Sequence, residues 1–193
     1  MIVVVGIPAW DAEGEGRPAG RASEIASAAA SAGSAVELVG RAGDDDAGDA
    51  LLLALAGEGV GHVALLRDPA RPTRLIGAGG EEPELEPADV ELGLRYLPGF
   101  EVLVVCDDAP ASILPACLDG ASFAGARLVL AVPPERDATA DLPSDATLLV
   151  APADDDGSFA HLVGRYAAGL DRGEEPAAAF TAATRDGWER VEP

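Results

Sequence analysis

Short, continuous runs of aliphatic and β-branched residues recur along this chain, each stopped by glycine, proline or acid and followed by a stretch with alanine and leucine at helical spacing. Runs of this kind fall at 2–6, 35–39, 62–66, 101–106, 127–132 and 147–151. Unbroken apolar runs of this length belong to strands buried on both faces, as in a parallel sheet. The run at 2–6, Ile-Val-Val-Val-Gly, is the expected centre of that sheet. Helical spacing predicts helices over 21–32, 49–58, 87–96, 111–118, 158–170 and 176–185. Gly48 opens the second of these, Gly59 and Gly61 end it, Pro87 sits early in the third, and Gly173 separates the last two. Residues 74–76 read as a further strand, whereas 11–20 and 77–86, rich in glycine and acid, read as loops. The alternation predicts one α/β domain over 1–193: a doubly wound, mostly parallel sheet flanked by helices, with sites at the carboxyl ends of the strands.

Composition narrows the function. With 48% hydrophobic residues and only 4% aromatic ones, the core must be built from Ala, Val and Leu. Thirteen basic residues, all arginine, stand against 34 acidic ones, a net charge of -21 that repels nucleic acid, anionic lipid and free nucleotide. Nucleic acid and membrane are therefore excluded as partners. Such a surface can hold Mg²⁺ or neutral polyols, although solubility is the simpler account of the charge. Cys106 and Cys117 are too far apart for a Cys-x-x-Cys pair and read as buried thiols, and His62 and His161 are too few for a histidine metal site or a Ser-His-Asp triad. No stretch approaches the ~18 apolar residues of a membrane span, and residues 1–5 lack a basic flank, so a cytoplasmic location is expected.

Three segments carry candidate chemistry. Val5-Gly6-Ile7-Pro8-Ala9-Trp10-Asp11 places an aspartate just beyond the first strand, and Pro18-Ala19-Gly20-Arg21-Ala22-Ser23-Glu24 places a glycine turn at a helix start with an acid one turn on. A glycine there lets the backbone approach a ligand, and acids can accept hydrogen bonds from its hydroxyls. The alternative is that Gly20 only shapes a turn while Glu24 favours the positive end of the helix dipole. The run Gly40-Arg41-Ala42-Gly43-Asp44-Asp45, followed by Gly48-Asp49, is a strand end leading into a helix start.

Taken in order, these segments resemble the first half of a ribokinase-like (PfkB) carbohydrate kinase. The resemblance implies a ribokinase-like fold and a sugar or nucleoside substrate near Asp11, Gly20 and Glu24, with Glu24 standing where the family has asparagine. Arg67-Asp68-Pro69 and Pro72-Thr73 resemble the family's variable ligand loop, Val132-Pro133-Pro134 its Asn-Pro turn, and Leu149-Val150-Ala151-Pro152 the strand end before its Asn-x-x-Glu element. Only Ala12 to Arg17 stand where the family inserts a lid, and part of the ATP-binding half is absent.

The segment Asp156-Gly157-Ser158-Phe159-Ala160 resembles the family's Gly-Ala-Gly-Asp motif. On that register Gly157 and Ser158 mark a degenerate nucleotide site, Phe159 replaces the second glycine and crowds the anion position, and Ala160 occupies the place of the catalytic base. Phosphoryl transfer needs open backbone N–H groups at a helix start and a carboxylate to take the hydroxyl proton. Alanine supplies no base. Asp154-Asp155-Asp156 would repel a triphosphate, with Asp156 expected as the helix N-cap; this triplet and Asp44-Asp45-Asp46 could also be read as Mg²⁺ or Ca²⁺ ligands, against a simpler turn and helix-start role.

The leading expectation is a kinase-derived protein that has lost phosphoryl transfer, needs no cofactor, and binds a sugar, nucleoside or similar polyol. One alternative is an active carbohydrate kinase using Mg-ATP, with Asp155 or Asp156 as a substitute base. The other is a structural homodimer that covers the sheet edge left by the missing half.

Overall fold

A computed structural model describes residues 1–14, 16–97, 99–133, 142–152 and 157–188, with side chains described through 185. The strands are β1 (Ile2–Val5), β2 (Ala9–Asp11), β3 (Arg17–Ala19), β4 (Val36–Gly43), β5 (Val60–Gly61), β6 (Leu65–Asp68), β7 (Val102–Val105), β8 (Arg127–Val132) and β9 (Thr147–Val150). The helices are α1 (Gly20–Ser31), α2 (Asp46–Gly57), α3 (Pro87–Tyr96), α4 (Leu114–Ala124), α5 (Ser158–Asp171) and α6 (Pro176–Trp188), with a 3₁₀ turn at Ala111–Ile113 ahead of α4.

The main sheet runs β5-β4-β1-β7-β8-β9, with β6 also pairing to β4, and every pairing in it is parallel. β1 is fully buried, as its unbroken apolar run requires. Its even residues face a core shared with α1, α2, α5 and α6, and its odd residues face a second core built by α3 and α4. Cys106 lies in the first core and Cys117 in the second, both as free thiols; burial raises the Cys106 thiol well above its ordinary range and pushes Cys117 up to about 12. The fold class expected from the sequence is the one observed: a doubly wound parallel sheet with helices on both faces.

Four local expectations are corrected. The predicted loop at 11–20 contains an antiparallel hairpin, β2 against β3, turned where the Asp11 carboxylate accepts from the Gly14 N–H at 2.8 Å. The predicted strand at 62–66 is two short strands, because β4 is eight residues long and takes β5 along its first half and β6 along its second. Residues 74–76 form no strand of their own; Leu75 makes a single bridge to Trp10, which donates to the Arg74 carbonyl at 2.8 Å and accepts from Ile76 at 3.0 Å. The helix predicted over 111–118 runs on to Ala124 and stops at Gly125, whose φ of +67° is the left-handed value that glycine adopts without strain. Gly120, a residue that usually weakens a helix interior, packs against Leu94 of α3, whose Cδ1 would have to swing away from a Cβ at that position.

The Gly40 to Asp49 run is architectural, and Asp45 is its keystone. The Asp45 carboxylate caps α2 by accepting from the Gly48 N–H (2.8 Å), and ties the 69–73 segment down by accepting from the Thr73 N–H (2.8 Å) and hydroxyl (2.6 Å). Burial raises this carboxyl, but the Thr73 and Gly48 hydrogen bonds and the Arg67 charge together hold it below its ordinary value. A depressed folded value means the stabilisation is present above the unfolded carboxyl's pKa and disappears as pH falls through the folded one. Asp45→Ala is expected to cost about 2 kcal/mol at neutral pH, measured by urea unfolding. The deficit should shrink on acidification; a deficit that persists unchanged at pH 2 would refute this account of Asp45. The turn and helix-start reading of Asp44-Asp45-Asp46 thus accounts for Asp45, and Arg67 pairs with Asp44 (3.4 Å) and Asp49 (2.8 Å).

Candidate ligand cleft

Two consecutive strands of the sheet, in space, leave the chain in opposite directions. From β1 the chain proceeds to β4 on one side, while β7, β8 and β9 are laid down in order on the other. Beyond the carboxyl ends of β1 and β7 the connections diverge, and a crevice opens at that switch point, the usual ligand position of open α/β sheets.

A cleft of about 390 Å³ lies in this region, lined by Gly20, Arg21, Glu24, Arg74, Ile76, Asp107, Asp108 and Gly157. α1 contributes its first residues, with Gly20 at φ +78° and a would-be Cβ only 3.2 Å from Ala9 Cβ, so glycine is needed to bring helix and hairpin together. The turn after β7 contributes Asp107 and Asp108. Gly157, at the N-terminus of α5 with φ +91°, forms the remaining wall. Arg74 reaches in from the segment that bridges to Trp10 of the hairpin.

The polar lining is arranged in pairs. Arg21 Nε meets Asp107 at 2.8 Å, and its guanidinium lies over the Phe159 ring, 5.1 Å from the centroid. Arg74 meets Asp108 at 2.7 Å and Glu82 at 3.0 Å. Burial pushes the Asp108 carboxyl up; Arg74 pulls it back in part, and the neighbouring Asp107 charge adds to the rise. Asp108 Oδ1 is buried without a hydrogen-bond partner among the described residues. A wall of carboxylate oxygens and guanidinium groups around an open volume can recognise hydroxyl groups, which both donate and accept.

Of the residues singled out from sequence, Gly20, Glu24 and Gly157 line this one cleft. Glu24 lies beyond the first turn of α1, which carries no acid, so the helix-dipole account of it does not hold. Asp11 is committed to its own hairpin through Gly14 and a 3.9 Å ion pair with Arg17, and it is not in the lining. Ser158 begins α5 but does not line the cleft either. Phe159 and Ala160 are buried in the core, Ala160 completely, so the phenylalanine ring is packed inward rather than filling the mouth of the site. The N-cap of α5 is Gly157, not Asp156 as expected; Asp154, Asp155 and Asp156 lie outside the described residues, as does Pro134. Arg21, Arg74, Asp107 and Asp108 were not anticipated. The adjacent pair of acids directly after the predicted strand at 101–106 was the available signal, since side chains at strand carboxyl ends face such crevices.

No protein-family model and no curated protein matches the chain. Solved structures do. Aminoimidazole riboside kinase from Salmonella enterica aligns over 100% of this chain and 93% of its own, at 16% identity and a TM-score of 0.71. Arabidopsis thaliana ribokinase complexed with ribose and ATP aligns over 96% of this chain and 90% of its own, at 15% identity and TM-score 0.69. Escherichia coli phosphofructokinase-2 in complex with fructose-6-phosphate aligns over 96% and 92%, at 15% identity and TM-score 0.68. The fold is ribokinase-like, and the chain is short beside these structures although the alignments run across nearly all of both partners.

Proposed function

We propose that this protein is a non-phosphorylating ligand-binding member of the sugar-kinase fold, which holds a sugar, nucleoside or similar polyol in the cleft between Gly20, Glu24, Arg74, Asp107 and Asp108. The observation that carries this reading is Ala160, fully buried in the first turns of α5. A general base must reach a substrate hydroxyl with a proton-accepting atom, and neither the methyl group of Ala160 nor any other residue in the first turn of α5 supplies a carboxylate there. The overall charge of -21 further opposes a triphosphate. The Arabidopsis ribokinase structure, complexed with ribose and ATP, sets the alternative of ATP chemistry; on the register of the resemblance to the Gly-Ala-Gly-Asp motif, α5 here starts after one glycine and has Ala160 in the place of the acid.

The hydroxyl-binding half of the reading rests on the cleft itself. Carboxylates of Glu24, Asp107 and Asp108 accept from ligand hydroxyls, and the guanidinium groups of Arg21 and Arg74 hold two of those carboxylates in place while donating to ligand oxygen. Isothermal titration with pentoses, hexoses and nucleosides is expected to give saturable binding by at least one, weakened at least tenfold in Arg74→Ala. Incubation of the same compounds with Mg-ATP should produce no sugar phosphate above the uncatalysed level. Phosphoryl transfer by the wild-type chain would eliminate the proposal, as would an absence of binding across the whole panel.

A further inference from the structure

The lining of the cleft is unequal in charge and in satisfaction, and that inequality speaks to the class of ligand. Among the described residues of the lining, Arg21 and Arg74 are the two cations, and each is already joined to a carboxylate of the lining, at 2.8 Å and 2.7 Å. Three carboxylates face them: Glu24, Asp107 and Asp108. Asp107 pairs with Arg21 and Asp108 shares Arg74 with Glu82, which leaves Glu24 as the lining carboxylate without a cation of its own among the described residues. Glu24 is half-buried on α1, with no hydrogen bond or ion pair among the described residues. Asp108 adds a second unmet demand, because Oδ1 is buried and accepts from no described donor. When ionised, both can accept hydrogen bonds but not donate them.

A buried carboxylate oxygen without a donor carries an uncompensated desolvation cost, and a ligand that brings a charged donor relieves that cost more than a neutral hydroxyl does. The raised Asp108 carboxyl points the same way, since burial makes it seek a proton or a neighbouring cation. Among the described residues no three His, Cys, Asp or Glu side chains converge as metal ligands. The N-terminal end of α5 at Gly157 contributes about half a positive charge, less than the full surplus charge of Glu24 in a chain already at -21.

Resting on the polyol-binding reading above, we infer that the cleft selects a polyol carrying a cationic amine, an amino sugar or amino nucleoside, over its neutral counterpart, and rejects its phosphorylated counterpart. Glu24 and Asp108 are the residues that read the ammonium group.

Titration calorimetry on the full chain with matched triplets tests this: glucose, glucosamine and glucose 6-phosphate; adenosine, its 5′-amino analogue and its 5′-monophosphate. In whichever triplet binds, the amine is expected to bind about tenfold tighter than the neutral compound and the phosphate at least tenfold weaker. Glu24→Gln should bring the amine-to-neutral ratio down towards one, with circular dichroism confirming the fold. Neutral and amine compounds binding equally, or the phosphate binding tightest, would overturn the charge preference while leaving the polyol reading intact. Failure of every compound to bind would overturn both. An amine preference that survives both Glu24→Gln and Asp108→Asn would also overturn the assignment to these residues.

Discussion

Gly164→Val is expected to destabilise the protein by about 3 kcal/mol or more, the range reached when a side chain is forced against packed backbone. α5 crosses α1 so closely at this residue that a Cβ would sit 2.6 Å from the Ile25 carbonyl oxygen, 2.7 Å from Ala28 Cβ and 2.9 Å from the Ala29 N–H nitrogen. Two of the three obstacles are backbone, which cannot rotate aside. The run of alanine and serine in α1 is the other half of the same fit, because only small side chains permit this approach. The effect should reach the cleft as well, since the two helices deliver Gly20, Arg21 and Glu24 on one side and Gly157 on the other. Urea unfolding gives the stability change, with Gly57→Ala as the control: that glycine ends α2 with nothing within 4 Å of its would-be Cβ. The control should be neutral or gain up to ~1 kcal/mol from helix propensity. A Gly164→Val protein as stable as the parent would show that α1 and α5 do not depend on their close crossing.

The second large effect is expected at Arg41→Ala. The Arg41 guanidinium enters from β4 and clasps Asp89 of α3 with two contacts, Nε at 2.9 Å and a terminal nitrogen at 3.0 Å, while another terminal nitrogen lies 3.4 Å from Asp68 at the end of β6. Asp89 is 7% exposed and also accepts from the Glu86 N–H in the capping box of α3. Removing the cation leaves the Asp89 carboxylate buried without its guanidinium partner and beside Asp68, a loss of about 3–5 kcal/mol by analogy with other broken buried pairs. The double variant Arg41→Met with Asp89→Leu should recover much of it, because the penalty comes from the stranded charge rather than from a strong net attraction. A single Arg41→Ala variant within 1 kcal/mol of the parent would place this pair among the weak surface ones.

Periodicity was enough to locate the sheet and most helices. β8 and α3 begin and end where their apolar spacing says they should, since the first is buried from Leu128 to Val132 and the second carries its own start signals in Pro87 and the Glu86/Asp89 capping box. The β2–β3 hairpin was not legible, because its strands are three residues each and are held by Asp11 and by the bridge to Leu75 rather than by an apolar pattern. The division of 60–68 into β5 and β6 was hidden for a related reason: it follows from the length of β4, a partner distant in sequence. In the cleft, Gly20, Glu24 and Gly157 could be found from turn and helix-start chemistry, while Arg21, Arg74, Asp107 and Asp108 acquire meaning only through pairings that span 86 and 34 residues. Asp11 shows the converse, an acid in the expected position that bonds within its own hairpin and does not line the cleft.

The cleft draws its walls from Gly20 near one end of the described chain to Gly157 near the other, with Arg74 and the Asp107-Asp108 turn between. No fragment of the polypeptide owns it. A molecule seated there would act as a staple across the first and last thirds of the sequence, so occupancy and cooperativity of unfolding are tied together: each tenfold excess of ligand over its dissociation constant raises the whole domain's resistance to melting by about 1.4 kcal/mol.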